Sequence, residues 1–150
     1  ADEKIYKLFL SNYNSESHNQ TKLYPGVLNF LKNNGKIRKA VLTNKPIKPA
    51  LKLINKLKIN KYFEKIVGLD NENPPKPNPK GINTILKFLK LNPDQVIMIG
   101  DGFQDIAVAN NVKMDSIAIL DRIGDNQLIL NQNPTYTVKN FFEISEMFSI

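Results

Sequence analysis

Apolar positions along the chain switch between two rhythms, short continuous runs and runs spaced three and four apart. Ile5, Leu8, Phe9 and Tyr13 have helical spacing, which predicts a helix over residues 4–13, followed by a Ser- and Asn-rich loop from Ser11 to Gln20. Pro25 and Gly26 precede a short helix carrying Val27, Leu28, Phe30 and Leu31, which stops at Asn33-Asn34-Gly35. Ala40-Val41-Leu42 reads as a buried strand, and Pro46 opens a helix with Ile47, Leu51, Ile54 and Leu57 on one face. Lys48, Lys52 and Lys56 line another face of that helix, as a solvated stripe. Lys65 to Leu69 is a second strand, and the four prolines between Asp70 and Pro79 forbid both helix and ladder. Ile82, Ile85, Leu86 and Leu89 mark the next helix. Val96-Ile97-Met98-Ile99 is a strand closed by Gly100, and Asp101 to Asn111 turns into a helix. Strands at Ile117–Leu120 and Thr135–Val138 follow, then a helix from Phe141 to Phe148. Continuous apolar strands alternating with helices predict an α/β fold whose parallel sheet is covered on both faces.

The chain's 150 residues are about one domain's worth, 41% hydrophobic and 23% charged. No apolar run reaches the roughly 18–20 residues that a membrane span needs. Without cysteine there is no disulfide framework, thiolate metal site or Cys nucleophile, and this is compatible with a cytoplasmic location. The lone histidine, His18, excludes His-rich metal sites. The net charge of +7 comes from 19 Lys and only 2 Arg, alongside 20 Asn and 17 Ile. All three abundant residue types have A/T-rich codons, so genome bias accounts for the charge, and neither nucleic acid nor a membrane surface is an expected partner.

In a parallel sheet the chemistry gathers at the carboxyl ends of the strands. Thr43 and Asn44 end the first strand and precede a helix start, a set of groups suited to holding phosphate, although the pair also suits a plain N-cap. Lys76 sits on the stiff Pro75-Lys76-Pro77 loop, which can aim one ammonium at low entropic cost, although the same loop also suits a rigid surface turn with an incidental Lys. Gly100-Asp101-Gly102-Phe103-Gln104-Asp105 places two carboxylates at a strand mouth, a donor set suited to Mg²⁺ together with phosphate oxygens and waters, although the pair also suits an Asp N-cap with a helix-dipole Asp.

Leu42-Thr43-Asn44-Lys45-Pro46, Lys76-Pro77-Asn78-Pro79, and Gly100-Asp101 with Asp105 resemble the second, third and fourth motifs of the haloacid dehalogenase superfamily. The resemblance is strongest to its phosphoglycolate phosphatase-like members. It implies a three-layer, Rossmann-like core and Mg²⁺-dependent hydrolysis of a small phosphorylated metabolite through an aspartyl-phosphate. By resemblance Thr43 and Asn44 meet the phosphoryl oxygens, and Lys76 pairs with the nucleophile and the phosphate. Asp101 binds Mg²⁺, and Asp105 supports the metal through water or orients Lys76. Residues 1–20 are then expected to be the tail of a helical cap and a linker, and residues 21–150 the core. The family's first motif, an apolar strand ending in Asp-x-Asp, does not occur in this sequence. The expectation is therefore a core without its nucleophile strand and most of its cap. Such a core needs a missing N-terminal segment or a second chain to complete the sheet, and is inactive alone. The alternative is a remnant that kept the fold and binds phosphate or a partner without catalysis.

Overall fold

The computed structural model describes residues 10–12, 21–23, 25–120 and 126–148. Strand β1 (Leu10–Asn12) pairs antiparallel with β2 (Thr21–Leu23), Leu10 opposite Leu23. The helix expected over residues 4–13 is thereby corrected at Leu10–Asn12; its remaining residues lie outside those described. Ser11 and Asn12 are weak helix formers, and pairing with β2 outweighs the local spacing.

Helix α1 (Val27–Asn33) leads to β3 (Ala40–Pro46) and α2 (Ile47–Lys56). A short 3₁₀ turn at 60–62 precedes β4 (Lys65–Leu69), which runs parallel to β3. Helix α3 (Lys80–Leu89) is followed by β5 (Ile97–Gly100), α4 (Phe103–Asn111), β6 (Asp115–Ile119), α5 (Asn126–Leu130), β7 (Tyr136–Val138) and α6 (Phe141–Phe148). Strands β5, β6 and β7 pair in parallel in that order.

Alternating side chains join the two sheet pieces into one layer. Val41 of β3 and Ile97 and Ile99 of β5 enter one core cluster with Val27, Phe30, Ile54 and Phe141. Ala40 and Leu42 of β3 and Met98 of β5 enter a second cluster with Ile82, Ile85, Val108 and Ala109. Each cluster therefore spans both pieces from one face, with α1, α2 and α6 on one side and α3 and α4 on the other. The result is the expected three-layer α/β arrangement. Phe30 packs edge-to-face on Phe141, ring centroids 5.9 Å apart, which fixes α1 against α6.

The apolar face of α2 is rotated from its expected position. Ala50, Leu53 and Ile54 are buried, whereas Leu51 points outward, because positions 50, 53 and 54 keep the three-four spacing on the sheet side. Lys39 is buried just before β3, with its Nζ donating to the carbonyls of Asn34 and Ile37 beyond the end of α1. Burial pulls its pKa below the ordinary lysine value, partly offset by the nearby Glu64 carboxylate.

Among the described residues no strand lies between β3 and β5: β3 pairs only with β4, and β5 only with β6. Ala40, Leu42, Ile82, Ile85, Met98 and Met114 help to line a small apolar cavity of about 10 Å³ where α3 meets the two strands.

Candidate functional site

The carboxyl ends of β3 and β5 open beside each other, and three loops converge on them. The first leaves β3. Thr43 and Asn44 are half-buried, and the Thr43 hydroxyl accepts the Lys45 N–H at 3.1 Å, which tightens the turn into α2. Asn44 reaches across instead of capping its own helix: its Oδ1 accepts the backbone N–H of Lys76 at 2.8 Å, 32 residues away in sequence.

The second loop spans residues 70–79. Its prolines deprive it of backbone donors, so side chains do most of the bracing. Asp70 Oδ1 accepts the N–H groups of Glu72 and Asn73, both at 2.8 Å. Those two bonds, with the Asn73 amide, hold the Asp70 carboxyl below the ordinary carboxylate range. Thr84 of α3 donates to Asn73 Oδ1 at 2.9 Å, and Asn111 of α4 donates to the Pro77 carbonyl at 2.9 Å. The Lys76–Pro77 peptide is cis.

The third loop joins β5 to α4. Asp101 is buried at the strand end, and Asp105 lies in the first turn of α4. Lys76 Nζ donates to Asp105 Oδ1 at 2.6 Å, with the two side chains 6% and 2% exposed. The other carboxylate oxygen, Oδ2, accepts the Gly102 N–H at 3.1 Å. An ion pair this dry is stable only with good geometry and satisfied lone pairs, and Asp105 has both. A side chain at Gly100 would overlap Asp105 itself, so the bare Cα there is what admits the carboxylate.

Direct bonds thus connect Asn44, Lys76 and Asp105. Thr43 adjoins this chain on β3, and Asp101 precedes Asp105 by four residues. Reading the sequence missed Asn111, whose role depends on a contact 34 residues away and leaves no local mark.

A metal would find two carboxylates here. No group of three or more His, Cys, Asp or Glu side chains that could hold a metal ion occurs among the described residues. Magnesium is commonly held by one or two carboxylates with phosphate oxygens and waters completing its shell, a pattern this donor set fits. Both Asp105 oxygens already accept hydrogen bonds, from Lys76 Nζ and the Gly102 N–H.

Comparison with known proteins shows the family. The sequence profile of the haloacid dehalogenase-like hydrolases matches residues 1–119. Phosphoglycolate phosphatase 1 of Pseudomonas aeruginosa is 29% identical over 145 residues, which are 95% of this chain and 53% of that protein. Phosphoglycolate phosphatase of Psychrobacter arcticus is 30% identical over 138 residues, covering 90% of this chain and 60% of the relative. Among solved structures, a haloacid dehalogenase-like hydrolase from Streptococcus pneumoniae superposes with a TM-score of 0.78 at 25% identity, over 86% of this chain and 61% of that one. The chain spans between about half and two thirds of the length of these relatives. With the profile matching more than half of its residues and the three strand-end loops in place, the chain belongs to the haloacid dehalogenase-like hydrolase family.

Proposed function

We propose that the protein is a Mg²⁺-dependent phosphomonoester hydrolase of the phosphoglycolate phosphatase kind. The observation that carries this reading is the buried Lys76–Asp105 pair at the mouth between β3 and β5. Burying an ammonium and a carboxylate costs several kcal/mol per ion before their attraction is counted, and a fold kept only as a scaffold has no need of it. An ammonium held there can stabilise negative charge that grows on a transferring phosphoryl group. The comparison with phosphoglycolate phosphatases supports the same substrate class, a small phosphorylated metabolite.

In this reading the Thr43 hydroxyl and the backbone N–H groups at the start of α2 receive the phosphoryl oxygens. Asn44 is committed through its Oδ1 to the Lys76 loop, so its share in phosphate binding falls to its amide nitrogen. Asp101 would hold Mg²⁺ and Asp105 would support it through water; when bound, the ion neutralises phosphoryl charge. Asp105 keeps Lys76 extended toward the reacting group. The nucleophilic carboxylate enters on an apolar strand seated between β3 and β5, supplied by another segment of the protein or by a second chain.

In the complete protein Lys76→Ala should lower kcat by about 10²–10³-fold, the usual effect of removing one donor aimed at developing charge, with a much smaller change in KM. Steady-state hydrolysis of p-nitrophenyl phosphate and of phosphoglycolate measures both, and a near-normal kcat returns Lys76 to an ordinary loop role. Asp101→Asn should abolish most of the Mg²⁺ response. A Mg²⁺ titration of activity that coincides for wild type and variant would remove Asp101 from the metal site.

A further inference from the structure

We infer that Asn111, at the carboxyl end of α4, is a positioning residue for Lys76. The inference rests on the role proposed for Lys76 above, and it goes beyond the residues that carry the family motifs. Within residues 70–79 the hydrogen bonds between main-chain atoms are few: Asp70 N–H to the Asn73 carbonyl at 3.4 Å and Asn78 N–H to the Pro75 carbonyl at 3.0 Å. Neither fixes Lys76 relative to the sheet. That task falls on side chains from elsewhere. Asn44 takes the Lys76 N–H from the β3 side, and Asn111 Nδ2 grips the Pro77 carbonyl at 2.9 Å from the α4 side.

The two α4 contacts are complementary. Asp105 holds the ammonium near the amino end of the helix, and Asn111 holds the backbone six residues further on, about 9 Å along the axis at 1.5 Å per residue. One rigid helix thus fixes the Lys76 side chain at its tip and, through the next residue, at its root. With the root released, the loop is free to shift along α4, which loosens the Lys76–Asp105 pair and carries the charge off the phosphoryl position. A misplacement of about 1 Å is enough to matter in a preorganised site.

Asn110 supplies an internal control. It donates from the same helix end to the Gln132 carbonyl at 2.6 Å, a bond of the same kind that ties α4 to the end of α5 and does not touch the Lys76 loop. In the complete protein, Asn111→Ala, Asn111→Asp and Asn110→Ala should be compared by two measurements. The first is the rate at which Lys76 is methylated by formaldehyde and borohydride, read by mass spectrometry of its peptide. The second is kcat and KM on p-nitrophenyl phosphate. Loss of one hydrogen bond predicts about 2- to 10-fold faster Lys76 modification and a comparable fall in kcat, with KM little changed, for both Asn111 variants. Asn111→Asp keeps the shape but puts an oxygen against the Pro77 carbonyl, so a space-filling role would spare it. Asn110→Ala should leave both readouts at wild-type values. The proposal is overturned by Lys76 reactivity that is unchanged in Asn111→Ala, that is equally raised in Asn110→Ala, or that stays normal in Asn111→Asp. If Lys76→Ala itself leaves kcat intact, the proposed function fails, and the reactivity measurement still decides whether Asn111 holds the loop.

Discussion

Gly100→Ala should destabilise the protein by about 3–5 kcal/mol and remove most of its activity, although it adds a single methyl group to a residue with no side chain. The added Cβ would overlap Cβ, Cγ and Oδ2 of Asp105. Asp105 cannot yield easily, being 2% exposed with one oxygen on Lys76 Nζ and the other on the Gly102 N–H. Displacing it strands a buried ammonium, and breaking one partner away from a buried pair is the expensive way to lose it. At about 2–4 °C per kcal/mol for a chain of this size, the melting temperature should fall by roughly 6–20 °C. Gly35→Ala is the matched control, because a Cβ there meets nothing within 4 Å. Thermal melts of the two variants settle the matter; equal melting temperatures would mean that Asp105 moves aside at no cost.

The parts of this molecule that were legible in the sequence are those whose cause is local. Buried parallel strands need continuous apolar runs, and Ala40–Leu42, Lys65–Leu69 and Val96–Ile99 stand out for that reason. The three strand-end loops were legible because Gly and Pro leave few conformations open. What stayed hidden depends on tertiary contact. Helix α5 has five residues, of which only Ile129 is buried while Leu128 and Leu130 are exposed, so no periodicity announces it. Helices α3 and α4 run out through Lys90 and Lys113, both at φ 58°, where glycine or asparagine would have marked the stop. Strand β3 continues beyond Leu42 to Pro46, with a shift of register against β4 that polar residues do not signal.

The candidate site divides in the same way. Thr43, Lys76, Asp101 and Asp105 carry their chemistry in their identity and their position after a strand or on a stiff loop. Asn44 carries two meanings, and the bond to Lys76 N–H selects one for its oxygen. Asn111 sits in the last turn of a helix like any solvated amide, and only the approach of Pro77 gives it work.

Residues 1–150 expressed alone should fail to give a stable monomer unless a strand fills the space between β3 and β5. Each of these strands pairs on one side only among the described residues, and their apolar stretches Ala40–Leu42 and Ile97–Ile99 lack the features of an exposed edge. Ala40, Val41, Leu42, Ile97, Met98 and Ile99 are all buried, and none of them is a charge or a proline that would protect a free edge. Among the described residues no strand pairs with their facing edges, so the N–H and C=O groups there need another partner. At about 1–3 kcal/mol for each buried group left without a partner, a handful of them consumes the roughly 5–15 kcal/mol that stabilises a typical domain. Leaving that side open to water is no escape, because Ile82, Ile85 and Met114, buried against these strands, would be exposed with it. The chain is expected to self-associate or to expand, and to recover a cooperative transition when an apolar strand ending in Asp-x-Asp is supplied, fused or in trans. Sedimentation equilibrium with thermal unfolding, with and without that strand, makes the comparison. A sharp monomeric transition of the 150 residues alone, unchanged by the added strand, would show that the two sheet pieces satisfy each other and that the space is not a strand site.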